Sequence, residues 1–81
     1  MMSPIVIPEV EGMSVIKVIE VVSTSPISWQ DAVEEGIKEA SRTIHNIVGV
    51  DIVSMKGHVH NNVISEYRTD LKIAYLVDKD R

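Results

Sequence analysis

The stretch Val15-Ile16-Lys17-Val18-Ile19-Glu20-Val21-Val22 constrains this chain more than any other feature. Its residues are β-branched almost throughout, which favours a strand. Alternation puts Val15, Ile19 and Val21 on one face with Lys17, and Ile16, Val18 and Val22 on the other with Glu20. A strand apolar on both faces must be covered on both faces. With 81 residues there is room for one domain with a marginal core, and one helix covers only one side of a small sheet. No cysteine is present to supply a disulfide or a zinc–thiolate site. The remaining common source of cover is a further copy of the same chain, so a homo-oligomer is expected.

The first strand is expected from Met13 to Ser23. After the Thr24-Ser25-Pro26-Ile27 loop, Ser28 is a good N-cap, with Asp31 three residues on. Val33, Ile37, Ala40, Ile44 and Ile47 then recur at helical spacing, and Asp31, Glu34, Glu35, Lys38, Glu39 and Arg42 fill the opposite face. The pattern predicts a helix over Trp29 to Asn46. Val48 to His60 and Val63 to Val77 read as strands joined by Asn61-Asn62, residues that tolerate the positive φ of a tight hairpin. In the last strand Val63, Tyr67, Leu71, Ile73, Tyr75 and Val77 share one face, and Glu66, Arg68, Asp70 and Lys72 the other. The expected fold is α+β in β-α-β-β order: one amphipathic helix packed on a curved three-stranded antiparallel sheet. Residues 1–12, with Pro4, Pro8 and Gly12, read as an irregular N-terminal tail, and residues 13–79 as a single domain.

Net charge is −4 and the basic residues are scattered singly, which argues against a nucleic-acid partner. Apolar runs fall far short of the roughly 20 residues that span a bilayer. The start lacks the positive region and unbroken apolar helix of a signal peptide, so no membrane association and a cytoplasmic location are expected. No phosphate loop, nucleophile elbow or HExxH motif is present. The alternating Glu66, Arg68, Asp70 and Lys72 are accounted for by cross-strand and diagonal ion pairs. No enzymatic activity is expected.

The densest polar cluster is Lys56-Gly57-His58-Val59-His60. Two histidines at i,i+2 on a strand project to one face and could both reach a divalent metal, with only His45 or Asp51 to nominate as a third ligand. Solvent-facing strand-end residues beside a turn are the simpler reading, so no metal site is assigned. Trp29, the sole tryptophan, reads as an amphipathic ring covering the helix start, with ligand stacking the less common use.

Three segments together resemble the dodecins: Ser14 to Ser25 their opening strand, Ser28-Trp29-Gln30-Asp31-Ala32-Val33 their helix start, and Glu66 to Ile73 their last strand. The resemblance spans roughly Met13 to Val77. It implies a homo-oligomer, a hollow twelve-subunit shell in dodecins, that binds flavin without catalysing a reaction on it. In flavin-binding dodecins a tryptophan stacks on the ring and a glutamine bonds its polar edge. Those positions fall here on Gly49 and Arg68. Gly49 offers no stacking surface, and Arg68 has donors only.

The chain is also similar in size and element order to the small archaeal selenium-binding proteins. That resemblance implies a role in selenium binding and delivery for selenium metabolism, with a five-fold ring as the alternative assembly. The ligand site would then be His58, Val59 and His60. The resemblance places the family's cysteine at Val59, and flanking imidazolium groups would stabilise a thiolate or selenide. The expectation is therefore a non-enzymatic protein that sequesters a small inorganic or aromatic ligand. Selenium is the first choice, and flavin storage or divalent-metal binding at His58 and His60 are the alternatives.

Overall fold

In the computed structural model the described residues are 15–77. They form β1 (Val15–Ser25), α1 (Trp29–Ala40), β2 (Ile47–His60) and β3 (Val63–Val77). The sheet is antiparallel in the order β1-β3-β2, with β3 in the centre. The expected β-α-β-β architecture is present. The expected tail at residues 1–12, Met13 and Ser14, and the domain's last two residues, 78 and 79, lie outside the described residues.

The turn into the helix is built from three short polar side chains. Buried Ser25 donates to Asp31 Oδ2 at 2.6 Å and accepts from the Ile27 backbone N–H at 2.9 Å. Ser28 caps the helix as expected, its hydroxyl accepting from the Asp31 N–H at 3.0 Å. The helix ends at Ala40, however, not at Asn46. Ile44 and Ile47 keep the helical phase, but Ser41-Arg42-Thr43 form a turn in which the Ser41 hydroxyl donates to the Lys38 carbonyl at 2.7 Å. Asn46, at φ 64°, then redirects the chain into β2.

The helix packs on β1 and β3. Its fully buried residues are small, Ala32 and Gly36, while Val33, Ile37 and Ala40 are half-buried. A Cβ on Gly36 would lie 2.9 Å from Leu71 Cδ1 and 3.1 Å from Ser23 Cβ, so the absence of a side chain sets the helix–sheet approach. Beneath it Leu71 and Ile73 are fully buried. Buried Thr69 donates to the Ser23 carbonyl at 3.5 Å.

Register shifts interrupt the β2–β3 ladder between Ile47 and Gly49, Ile52 and Ser54, and His58 and Val59. The shift at Ile52/Ser54 leaves Val53 without a partner in the ladder, among the residues of the face away from the helix. The last shift leaves Ser65 unpaired, so Val59 pairs with Ile64 and His60 with Val63. This corrects the strict alternation expected for β3. Ile64 lies on the helix side, 3.5 Å from where a Gly57 Cβ would stand, and Val63 joins the opposite side.

The helix is about 18 Å long at 1.5 Å per residue, whereas the described chain extends 54 Å. Among the described residues, the β2–β3 hairpin beyond the Ser25–Tyr67 row therefore has neither helix nor third strand beside it. Every residue from His58 to Glu66 is exposed. Among the described residues nothing covers the second apolar face of β1 either, with Val18 50% and Val22 57% exposed. Among the described residues no helix is long and apolar enough to cross a membrane.

Candidate functional site

The sheet face away from the helix, the open face, carries the polar side chains that the sequence singled out. Paired rows bring together Gly49 with Ala74, Asp51 with Lys72, Ser54 with Asp70, Lys56 with Arg68, and His58 with Glu66. On the β1 side Val22 stands opposite Asp70 and Thr24 opposite Arg68. Exposed Val53, turned to this face by its register shift, joins Val22, Asp70 and Lys72 around a hollow of about 160 Å³.

Asp70 is the most constrained charge on this face. Ser54 Oγ donates to Asp70 Oδ2 at 2.9 Å, and Lys56 Nζ lies 3.5 Å from the same oxygen. The other carboxylate oxygen, Oδ1, is shielded from solvent and has no hydrogen-bond partner among the described residues. The Ser54 hydrogen bond holds the Asp70 carboxyl below the usual carboxylate range, with Lys56 and Arg68 adding to it and partial burial opposing it. Lys56 is mostly exposed, so its ion pair adds little to stability. Of the ladder expected along β3, the described residues show Asp70 alone in an ion pair, and its partner is Lys56 on β2. The importance of Ser54 and Val53 was hidden from sequence, because their side depends on a bulge.

Gly49 and Arg68 both belong to the open face. The stretch of β3 from Arg68 to Ala74, Gly49's partner, separates them by roughly 20 Å at about 3.3 Å per residue. One subunit cannot present both to one flat ring. His58 and His60 share this face by alternation, His58 beside a hollow of about 230 Å³ with Lys56, Glu66 and Arg68. Val59 faces the helix side, so it does not converge with the two imidazoles. His45 lies at the far end of the sheet, with Lys17 and Tyr75. Among the described residues no group of three His, Asp or Glu side chains is arranged to hold a metal.

Trp29 covers the helix start as expected. Its indole Nε1 donates to the Lys56 carbonyl at 2.8 Å, and its ring meets Tyr67 edge-on at 4.7 Å and 82°. It also borders a mainly apolar groove of about 300 Å³ with Val33, Ile52 and Met55.

The profile of the dodecin family matches residues 15–78. The calcium dodecin of Mycobacterium tuberculosis is 30% identical over 63 residues, covering 78% of this chain and 89% of that protein. The solved dodecin of Streptomyces davaonensis superposes with a TM-score of 0.80 at 26% identity, covering 84% of this chain and all of the other. The crystal structure of the M. tuberculosis protein, described as calcium chelating, gives a TM-score of 0.71 over 84% of this chain and 97% of that one. These relatives are dodecins, and none of them supports the selenium-binding resemblance.

Proposed function

The chain belongs to the dodecin family of small ligand-binding proteins, and from that premise we propose that it is a non-catalytic sequestration protein which holds a flavin-class ligand between copies of itself. The observation that carries this reading is the incomplete site on the open face. The hollow there is about 160 Å³ in one chain, below the roughly 300 Å³ at which small-molecule sites begin. A second copy is needed to complete it. Exposed Val18, Val22 and Val53 give that face an apolar floor, and Asp70, Ser54 and Arg68 supply polar groups around it.

Flavin is favoured over selenium by the family and by the chemistry of the chain. There is no cysteine to form a selenium–sulfur bond, and Val59 points away from the two histidines. Gly49 and Arg68 make the flavin site weaker than one with a stacking aromatic and an amide. Riboflavin fluorescence titrated with protein tests the reading. Saturable quenching at micromolar to millimolar subunit concentration supports it; fluorescence unchanged across that range contradicts it.

A further inference from the structure

One row across the sheet presents donors and no anion. Thr24 on β1 stands opposite Arg68 on β3, and Arg68 opposite Lys56 on β2, all three exposed on the open face. Neighbouring strands lie about 4.8 Å apart, so a guanidinium and an ammonium start from adjacent positions with a hydroxyl beside them. Like charges directly opposite on paired strands repel. Lys56 meets Asp70 Oδ2 at 3.5 Å through a mostly exposed contact, which leaves two of its three N–H donors for other acceptors. Arg68 belongs to neither ion pair found among the described residues. Lys56 and Arg68 also border the hollow of about 230 Å³ that holds His58, with Glu66 as its one acid.

We infer that this row binds a phosphate monoester, with Arg68 and Lys56 as its charged donors, Thr24 and His58 at its sides, and Glu66 limiting the site toward the hairpin. A guanidinium presents paired N–H groups that match two phosphate oxygens, while an ammonium acts as a point charge. A phosphate monoester carries about −1.5 to −2 at pH 7, so it offsets both cations at once and removes the repulsion between them. The row lies one step along the strands, about 7 Å, from the Val22–Asp70 row that borders the apolar hollow given to the flavin ring. The five-carbon ribityl chain of flavin mononucleotide (FMN) joins ring to phosphate over a distance of that order. The inference rests on the flavin reading for the ring, and it assigns Arg68 to the phosphate and not to the ring's edge.

Riboflavin and FMN differ only in that phosphate, so the ratio of their affinities isolates it. Fluorescence titrations in low salt should show FMN bound about tenfold tighter, with the ratio shrinking as sodium chloride is added. In Arg68→Gln and in Lys56→Gln, each folded by circular dichroism, the ratio should fall toward one, whatever either change does to riboflavin binding itself. Equal affinities in the wild type, or a ratio unchanged in both variants, overturn the phosphate site and leave the flavin reading standing. Inorganic phosphate, compared with chloride at equal ionic strength, separates the two sources of the group. With the ratio present, competition against FMN assigns the site to free phosphate as well, and no competition assigns it to the flavin's phosphate alone. Should neither flavin bind, the flavin reading falls and the phosphorus NMR line width of inorganic phosphate decides. Broadening by the wild type that Arg68→Gln abolishes supports the site, and any other result overturns it.

Discussion

The indole N–H of Trp29 and the carbonyl oxygen of Lys56 meet at 2.8 Å, tying the first helical residue to the edge strand β2. The helix packs chiefly on β1 and β3, so this bond and the Tyr67 contact anchor the base of the projecting hairpin. Trp29→Phe keeps a ring and removes the donor. Urea unfolding at fixed subunit concentration should show a loss of about 1 kcal/mol; unchanged stability would remove the bond from the account.

Gly36→Ala should destabilise although alanine is the better helix former. The gain in propensity is about 1 kcal/mol. Against it, the new methyl would press on Leu71 and Ser23, at 2.9 and 3.1 Å, and overpacking of this kind costs about 1–3 kcal/mol. Leu71 is buried and cannot swing away. A melting temperature above wild type would show that the helix can move off the sheet.

Asp70 makes stability pH-dependent in one direction. The folded carboxyl titrates below its ordinary value, with the Ser54 hydrogen bond as the largest cause, so the folded state favours the ionised form. That stabilisation is fully present above the ordinary aspartate value of about 3.9 and is lost as pH falls through the lower folded value. Unfolding curves of wild type and Asp70→Asn should converge as the solution is acidified below that value. A difference that grows on acidification would contradict the assignment.

Much of this architecture is legible in the residues themselves. The doubly apolar β1, the Ser28 cap and the Asn61-Asn62 turn, at φ 53° and 67°, are local signals with local causes. The misread features depend on contacts between elements. Ile44 and Ile47 keep helical phase, yet the chain turns at Ser41 because β2 must reach β3. Ala32 and Gly36 carry too little hydropathy to mark the buried helix face, although smallness is what lets that face approach Leu71. The unpaired positions at Val53 and Ser65 have no signature in a period-two pattern, and they decide which side Val53, Val63 and Ile64 occupy. The open-face site is therefore legible as residue types, through Gly49, Arg68, Asp70 and His58, but the pairing of Asp70 with Ser54 at its centre is not.

Restoring an aromatic at the stacking position should strengthen flavin binding. A stacked face is worth about 1–3 kcal/mol, so Gly49→Trp should tighten riboflavin binding roughly 5- to 150-fold. The measurement is the fluorescence titration, run beside wild type. Equal affinity in a folded, assembled variant would move the ligand away from Gly49.

Ligand held between copies of the chain should travel only with the assembly. Sedimentation velocity in excess FMN, followed at the flavin's visible absorbance, tests it most directly. Flavin colour should move with a closed species many times the 9.0 kDa subunit mass, and no colour should move with free subunits. Protein sedimenting as a 9.0 kDa monomer at high micromolar concentration, with the colour left behind, would contradict it.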